Sequence, residues 1–213
     1  MDSIHLIHNS HIRQAEIKLP ASKSESNRAL IINALSQNQT LITNLSAARD
    51  TQTMMRLLKS SSDEFDVLDA GTTMRFLTAY TAIGSDKKRL TGTPRMLERP
   101  IGTLITALVR LGAKIDFENK PGFPPLLVRP FKNQLAREVE IKGNESSQFI
   151  SALLMIAPVL PQGLTLRLRG KINSRPYIQM TLDIMEEFGI SYDWNGDSIA
   201  IESQNYQPPT QYV

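Results

Sequence analysis

Cysteine is absent from the sequence of 213 residues. Its absence excludes disulfide bonds, thiolate metal ligands and a cysteine nucleophile, and it is typical of proteins in a reducing compartment. The sequence also lacks an apolar run of about 18 residues, the length that a membrane-spanning helix requires. The first ten residues do not combine a basic segment with an apolar one, so we predict no signal peptide and expect a cytoplasmic protein.

The excess of one charge sign is small as well. Lysine and arginine number 24 against 21 aspartates and glutamates, which gives a formal net charge of +3. This excess does not predict general binding to nucleic acid, so any basic function must depend on where individual cations lie. The hydrophobic share of 41% is ordinary for globular proteins, and the length allows one large domain or two small ones.

Three stretches of the chain share one pattern of helix, strand and helix. They are residues 22–35, 40–45 and 50–59; residues 71–80, 88–92 and 99–111; and residues 146–154, 164–168 and 175–188. In the second and third copies a glycine and an alternating strand follow, at 112–117 and 189–194. We interpret the pattern as a β-α-β-α-β-β unit that occurs three times around shared helices. Pro100 and Pro176 are predicted to lie in the first turns of two helices.

Small hydroxyl residues or glycine open the first helix of each copy: Ser24, Gly71-Thr72 and Ser146-Ser147. A helix start presents free N–H groups and about half a positive charge. Taken singly, each start is typical of ordinary N-capping. Cations and an amide nearby, namely Lys23, Arg28, Arg75 and Gln148, add what an anion site needs. If the three starts converge, the ligand carries more than one anionic group.

Five segments together carry the strongest indication of function. They are Leu19-Pro-Ala-Ser-Lys-Ser-Glu-Ser-Asn-Arg28, Asp69-Ala-Gly-Thr-Thr-Met-Arg75, Leu90-Thr-Gly-Thr-Pro-Arg-Met-Leu-Glu-Arg-Pro-Ile-Gly102, Ser146-Ser-Gln-Phe149 and Ser174-Arg-Pro-Tyr177. In this order they resemble the signatures of the 5-enolpyruvylshikimate-3-phosphate (EPSP) synthase family, and they span nearly the whole chain. The resemblance implies an inside-out α/β domain of three β-α-β-α-β-β units, with helices at the core and sheets outside.

The resemblance also implies a reaction, its ligands and the residues that bind them. The family transfers the enolpyruvyl group of phosphoenolpyruvate (PEP) to the 5-hydroxyl of shikimate-3-phosphate and releases phosphate, in the pathway to chorismate and the aromatic amino acids. It uses no cofactor or metal, and the full-length enzyme is expected to be monomeric and to bind neither nucleic acid nor membrane. The residues implied to bind shikimate-3-phosphate are Lys23, Ser24, Arg28, Ser146, Ser147, Gln148, Ser174 and Tyr177. Those implied to bind PEP are Lys23, Gly71, Arg99 and Gln148, and Lys23 is the implied catalytic residue because it contacts both ligands.

The chemistry accounts for these residue types. Each ligand carries a phosphate and a carboxylate, so binding must neutralise several negative charges. Arginine offers a planar fork for two oxygens and lysine a point charge. Gly71 would allow PEP to approach the backbone where a Cβ would intrude.

Two positions depart from the family pattern. Asp69 stands where many members have asparagine, and Phe76 where many have proline. We expect Asp69 to face Arg75 or a helix N-terminus, because its charge would oppose an anionic ligand. Arg75 is expected to brace the loop at Asp69 more than to bind ligand. Gly71 matches the form of the family that glyphosate inhibits.

Family members are about twice as long as this chain, and their second half supplies the main acid and base candidates. The resemblance predicts that residues 1–19 belong to that other domain, that residues 20–205 form the shikimate-3-phosphate-binding domain, and that residues 206–213 begin the crossing between domains. We therefore expect a truncated, inactive half that binds substrate. Residues 1–18 are predicted to be poorly ordered or to pair with a neighbouring chain.

Two other readings remain open from the sequence. One is a related enolpyruvyl transferase that acts on UDP-N-acetylglucosamine, which lacks the Ser-Lys-Ser segment and commonly uses a cysteine. The other is a non-enzymatic anion-binding module. Calorimetry with shikimate-3-phosphate distinguishes both from an EPSP synthase half.

Overall fold

The computed structural model of the chain describes His5, Ile7, Glu16, residues 19–37 and residues 39–212. The predictions about residues 1–18 therefore fall outside the described residues, apart from three isolated positions. Within the described part, no helix combines the length and the apolar character needed to cross a membrane.

Helices and strands alternate along most of the chain. The helices are α1 (Lys23–Leu35), α2 (Arg49–Leu58), α3 (Gly71–Ala82), α4 (Pro94–Leu97), α5 (Gly102–Leu111), α6 (Ser147–Ile156) and α7 (Arg175–Glu187), with a 3-10 turn at Ala157–Val159. The strands are β1 (Leu41–Ile42), β2 (Glu64–Asp66), β3 (Lys88–Thr91), β4 (Lys114–Phe117), β5 (Leu126–Arg129), β6 (Glu138–Lys142), β7 (Leu164–Arg169), β8 (Asp193–Asn195), β9 (Ser198–Ile201) and β10 (Gln211–Tyr212).

Two of the three predicted units are complete and share one topology. Unit 2 comprises β2, α3, β3, α4, α5, β4 and β5, and its sheet has the order β2-β3-β5-β4. Unit 3 comprises β6, α6, β7, α7, β8 and β9, and its sheet has the order β6-β7-β9-β8. In each sheet the first two strands are parallel, and a terminal antiparallel hairpin adds the other two. The predicted β-α-β-α-β-β repeat is thus confirmed for these two units.

Unit 1, formed by α1, β1 and α2, differs from the other two. The chain passes from the end of α2 at Leu58 to β2 at Glu64, which already belongs to the sheet of unit 2, so no hairpin follows α2. The partner of β1 comes from the far end of the chain, because β10 pairs with it in parallel. In units 2 and 3 the parallel neighbour is the first strand of the unit, so β10 takes that place. The prediction of three full copies is therefore wrong for unit 1.

Strand β1 is also shorter than the predicted strand at 40–45. The side-chain amide of Asn33 forms hydrogen bonds with both backbone groups of Thr40. Asn33 Oδ1 accepts the Thr40 N–H at 3.0 Å, and Asn33 Nδ2 donates to the Thr40 carbonyl at 3.1 Å. At the other end Asn44 has a φ of 50°, which is incompatible with an extended strand. Between these turns, only Leu41 and Ile42 form the strand.

The helices form the centre of the domain and the sheets lie outside. Helices α1, α3 and α6 contact one another, and every residue of α3 except Tyr80 is buried. Helix α6 has apolar residues almost all round, which is typical of a helix inside the core. On β7, Leu164, Leu166 and Leu168 are buried while the alternate residues are not. The predicted inside-out arrangement is confirmed.

The helix starts need two corrections. The N-cap of α1 is Ser22, whose Oγ accepts the N–H of Glu25 at 3.3 Å, so Ser24 lies inside the first turn. Pro100 is not in the first turn of a helix, because α5 begins only at Gly102, after the Gly122 carbonyl has accepted the N–H groups of Ile101 and Gly102. The prediction for Pro176 is confirmed, since this residue lies in the first turn of α7.

The domain boundaries stay predictions, although the last described residues still pack on this domain. Tyr206 is buried and donates its hydroxyl hydrogen to the Met155 carbonyl at 2.6 Å. Tyr212 is also buried and lies in β10.

Candidate functional site

The starts of α1, α3 and α6 meet at one open cavity of about 200 Å³. The first turn of α7 completes its wall. The lining residues are Lys23, Ser24, Arg28, Thr72, Ser146, Ser147, Gln148 and Tyr177. Seven of these eight were predicted from the sequence to bind shikimate-3-phosphate, and the predicted convergence of the three helix starts is confirmed.

Lys23 is the exposed cation of this cavity. It occupies the first position of α1, and 47% of its side chain is accessible to solvent. Its ammonium group lies 3.9 Å from an oxygen of Asp50, at the outer limit for an ion pair. A contact that long between partly exposed groups stabilises the fold little. The lysine is therefore free to turn toward an anion in the cavity.

Arg28, in contrast, is buried and held in place. Its Nε donates to Thr181 Oγ1 at 2.6 Å, its Nη1 to the Ser24 carbonyl at 2.7 Å, and its Nη2 to Ser151 Oγ at 2.9 Å and the Tyr177 carbonyl at 3.3 Å. Burial lowers the pKa of Arg28 to about 10, against the opposing influence of Tyr177. A guanidinium has five N–H donors. Four are engaged, so one N–H on Nη1 remains for a ligand.

The buried ring of Phe76 lies under this guanidinium, with 5.4 Å between the Arg28 Cζ atom and the ring centroid. A cation over an aromatic face is attracted to it. The departure from the family pattern at Phe76 thus adds to the support of Arg28.

The starts of α3 and α6 are joined to each other by side chains. Gln148 Nε2 donates to Thr72 Oγ1 at 3.2 Å. The N–H of Thr72 is taken by Asp50 Oδ2 at 3.3 Å, so Asp50 caps α3 from α2. Ser146 is the N-cap of α6, and its Oγ accepts the N–H of Gln148 at 3.3 Å. These bonds fix the positions of the helix starts relative to one another.

Positive potential remains at the mouth of the cavity. Among the described residues, the N–H groups of Lys23, Ser24 and Ser147 have no protein acceptor. Free N–H groups of this kind and the partial charges of three helix starts favour an anion. The hydroxyls of Ser24, Ser146 and Ser147 add donors that can turn toward phosphate or sugar oxygens.

A second open cavity, of about 370 Å³, lies next to the start of α3. Its lining residues are Asp69, Arg95, Met96 and Arg99. Gly71 faces the Arg99 guanidinium so closely that a Cβ on Gly71 would lie 2.2 Å from Arg99 Nη1. Since Thr72 lines the first cavity and Gly71 contacts Arg99, the start of α3 lies between the two sites. Two predicted PEP ligands, Gly71 and Arg99, are on this side, and the other two, Lys23 and Gln148, are in the first cavity.

The roles predicted for Asp69 and Arg75 need correction. Asp69 faces neither Arg75 nor a backbone helix start; both of its oxygens lie 3.3 Å from Nη1 of Arg49. Arg75 is a brace, as predicted, but it holds the carbonyls of Gly71 at 2.9 Å and Pro100 at 3.3 Å rather than Asp69. It therefore links the loop that carries Arg99 to the start of α3.

Cations outnumber anions around the second cavity, since Arg95 and Arg99 line it beside Asp69. Burial lowers the pKa of Arg75 to about 10, and the neighbouring charge of Arg99 acts in the same direction, while Asp50 opposes both. A nearby negative charge favours the charged form of a guanidinium, so an anion next to Arg99 would reduce this repulsion. The cavity is therefore suited to a small carboxylate or phosphate.

Sequence reasoning also missed some residues of the two sites, and it included one that the structure does not bring to them. Thr72, Asp50 and Arg95 were not predicted as site residues, although Thr72 and Arg95 lie within the quoted motifs. Ser174 does not line the first cavity; it is the N-cap of α7 and accepts the Tyr177 N–H on its carbonyl at 3.0 Å. Among the described residues, no group of three or more histidines and acids is placed to hold a metal ion.

Known proteins share this chain's sequence and fold. A family model described as EPSP synthase (3-phosphoshikimate 1-carboxyvinyltransferase) matches residues 8–61 and 57–213. The 3-phosphoshikimate 1-carboxyvinyltransferase of Bacteroides fragilis strain YCH46 is 51% identical over 194 residues, which cover 91% of this chain and 47% of the relative. The protein of the same name from Paraburkholderia phytofirmans is 38% identical over 221 residues, which cover 91% of this chain and 51% of the relative. The chain spans about half the length of the curated relatives that it matches.

In three dimensions, an EPSP synthase from Acinetobacter baumannii is similar, with a TM-score of 0.80. The match covers 92% of this chain and 48% of that chain. At 16% sequence identity this likeness shows the fold alone.

The sequence matches also show a difference in length between relatives. The family model matches in two segments that meet at residues 57–61, where α2 ends. The same 91% share of this chain aligns over 194 positions with the Bacteroides relative and over 221 with the Paraburkholderia relative, a difference of 27. This chain thus lacks residues that part of its family has. With the family model matching from residue 8 to residue 213, the chain belongs to the EPSP synthase (3-phosphoshikimate 1-carboxyvinyltransferase) family.

Proposed function

We propose that this chain is the shikimate-3-phosphate-binding half of an enzyme that transfers the enolpyruvyl group of PEP to the 5-hydroxyl of shikimate-3-phosphate, releasing phosphate. The observation that supports this most is the meeting of three helix starts at one cavity that Lys23 and Arg28 also line. The phosphate of the substrate would lie against the free N–H and hydroxyl groups of Ser24, Ser146 and Ser147. Gln148 and Tyr177 would contact the ring, and Ser174, outside the cavity lining, would position Tyr177 through the hydrogen bond at the start of α7.

PEP is proposed to occupy the second cavity, beside the first. Arg99 would hold its carboxylate or phosphate in a bidentate contact, and Gly71 would leave room for it at the start of α3. Lys23 and Gln148 would reach the same ligand from the shikimate side. The two cavities adjoin at the start of α3, and there the attacking hydroxyl would face the enol carbon. Holding the two reacting groups in contact is the main contribution that binding energy can make here.

Lys23 is the residue with the clearest test. We expect Lys23→Ala to weaken shikimate-3-phosphate binding about tenfold or more, since a charge-assisted contact contributes roughly 1.5–3 kcal/mol. The free energy of unfolding should change by no more than about 0.5 kcal/mol, because the side chain is half exposed. Isothermal titration calorimetry measures the first quantity and urea unfolding the second.

The matched control is Lys132→Ala, which removes an exposed lysine outside both cavities. Equal affinities of the two variants for shikimate-3-phosphate would contradict the assignment of Lys23. Tighter binding of a UDP-sugar than of shikimate-3-phosphate would overturn the proposed substrate.

Turnover by the 213 residues alone is a separate matter. We expect none, because the acid and base candidates of the family lie in the half that this chain does not span, and removal of such groups costs many powers of ten in rate. Release of phosphate from PEP and shikimate-3-phosphate, followed with a coupled colorimetric assay, measures this. A normal enzymatic rate would show that the residues described here suffice for catalysis.

A further inference from the structure

The first turn of α1 lies between two cavities. On one side is the cavity of about 200 Å³ that Lys23, Ser24 and Arg28 line. On the other side is a smaller cavity of about 30 Å³, whose lining includes Glu25 and Tyr212. Any contact that Tyr212 makes with this turn therefore acts on the backbone that carries Lys23 and Ser24.

The sequence at the start of α1 fits a capping box, in which serine or threonine at the N-cap is followed three residues later by glutamate or glutamine. Ser22 is the N-cap, and its Oγ accepts the Glu25 N–H at 3.3 Å, which is the first hydrogen bond of the box. In the second, the glutamate side chain would accept the Ser22 N–H. Among the described residues that bond is not formed, so the Glu25 carboxylate is left for another donor.

This donor is the hydroxyl group of Tyr212, which lies 3.1 Å from Glu25 Oε1 and 187 residues away in sequence. Tyr212 is 6% exposed, and its ring packs on Phe188 with 5.6 Å between the ring centroids. Burial raises the pKa of Tyr212, and the charge of Glu25, the hydrogen bond to it and the charge of Glu187 act in the same direction. The hydroxyl therefore keeps its hydrogen and holds Glu25 from outside the helix.

The first turn of α1 depends on such outside contacts. A helix end frays because its first N–H groups have no partner within the helix. Lys23 contributes little, since its contact with Asp50 is 3.9 Å long. On the ligand side, Arg28 Nη1 donates to the Ser24 carbonyl at 2.7 Å. The Tyr212 hydroxyl holds the opposite side of the turn.

We propose that Tyr212 is a positioning residue for shikimate-3-phosphate: through Glu25 it holds the first turn of α1, and with it Lys23 and Ser24, in the conformation that binds the ligand. This rests on the proposed function, because it assumes that the cavity binds that ligand. Tyr212 does not line the cavity, so it acts through the helix and not by contact. A chain whose first turn is ordered only about 10–30% of the time binds about threefold to tenfold more weakly, since only that fraction is competent.

Tyr212→Phe is the main test, because it keeps the packed ring and removes only the hydroxyl. Isothermal titration calorimetry should show an affinity for shikimate-3-phosphate that is about threefold to tenfold lower. In the ligand-free chain, amide hydrogen exchange at Glu25 and Ser26 should become faster, because both N–H groups donate to Ser22 and the turn frays more often.

Tyr206→Phe is the matched control. It also removes a buried hydroxyl, but this one donates to the Met155 carbonyl, near the end of α6 that is remote from the cavity. We expect it to lower the urea concentration at which the chain unfolds, since a buried carbonyl loses its donor. The affinity for shikimate-3-phosphate and the exchange at Glu25 and Ser26 should stay unchanged.

Variants of Glu25 separate position from charge. Glu25→Gln keeps an oxygen that accepts from Tyr212 and removes a negative charge near an anion site, so it should bind shikimate-3-phosphate at least as tightly as the unmodified chain. Glu25→Ala removes the same charge together with the acceptor, and we expect the threefold to tenfold loss. In the Glu25→Ala background, Tyr212→Phe should have no further effect, because the two residues act through one bond.

Equal affinities of Glu25→Ala and Glu25→Gln would overturn the proposal, because the side-chain acceptor would then not matter. Unchanged affinity of Tyr212→Phe would overturn it as well, as would unchanged exchange at Glu25 and Ser26 in that variant. If the unmodified chain binds no shikimate-3-phosphate, the proposed function fails, and the exchange measurement alone decides whether Tyr212 holds the turn.

Discussion

Arg28→Ala is expected to lower the free energy of unfolding by about 3–5 kcal/mol. The side chain is among the largest that are fully buried, so its removal leaves a hole between α1, α6 and α7, and such losses alone cost about 2–5 kcal/mol. Hydrogen bonds to a charged group add roughly 1.5–3 kcal/mol each. Relief of the unfavourable burial of the guanidinium, visible in its pKa of about 10, offsets part of this. Urea unfolding of the whole chain measures the change.

Two further variants separate the causes. Arg28→Lys keeps the charge but loses the planar fork that reaches Thr181, Ser151 and the Tyr177 carbonyl, so we expect an intermediate loss. Arg110→Ala removes an exposed arginine from α5 and should be nearly neutral. If Arg28→Ala and Arg110→Ala unfold at the same urea concentration, Arg28 is not a structural brace.

We expect Gly71→Ala to weaken PEP binding strongly while changing the free energy of unfolding little. A methyl group there would lie 2.2 Å from Nη1 and 2.7 Å from Cζ of Arg99, so the guanidinium must move. Because that group is the exposed end of a flexible side chain, the free energy of unfolding should change by less than about 1 kcal/mol. Loss of the Arg99 contact should weaken PEP binding about tenfold to a hundredfold in the presence of shikimate-3-phosphate.

The affinity for PEP can be measured by NMR titration, with the side-chain Nε signal of Arg99 as the reporter. Gly84→Ala is the matched control, because Gly84 follows the end of α3 that is remote from both cavities and a Cβ there would lie 3.3 Å from its nearest neighbour. Unchanged PEP affinity in Gly71→Ala would contradict the place given to Arg99. Glyphosate carries the same kinds of anionic group, so its binding should weaken in parallel if the family resemblance at Gly71 holds.

The ion pair between Asp69 and Arg49 could not be predicted from the sequence motif. The unusual aspartate was recognised from the motif, but its partner was not, because Arg49 lies 20 residues earlier and belongs to another unit. Motifs show which residue types occur near a site. They do not show which of two neighbouring arginines a carboxylate faces, since that depends on how α2 packs against the loop before α3.

The repeat was predictable because glycine and alternating apolar residues mark the same places in the second and third copies. The incomplete unit 1 was not predicted, because its two helices and the strand between them fit the pattern, although no glycine and alternating strand follow its second helix. The start of α5 was misplaced for a similar reason. A proline is tolerated in a first helical turn, but Pro94 rather than Pro100 takes that position, in the short α4.

The site itself was largely predictable from helix starts rich in hydroxyls with cations nearby. The distinction between Lys23 and Arg28 was not. Both are cations on α1, yet one is half exposed and the other is held by four hydrogen bonds, and only the packing of α6 and α7 against α1 decides this.

The pairing of β1 with β10 bears on the order in which the domain is made. Thr40 donates to the Pro209 carbonyl across 169 residues of sequence. At synthesis rates of about 5–20 residues per second, β10 leaves the ribosome roughly ten to thirty seconds after β1. Units 2 and 3 can fold during this interval, whereas unit 1 must wait for its last strand. Of the described helices, α1 with Lys23 and Arg28 is thus the earliest to be synthesised and belongs to the last unit to be completed.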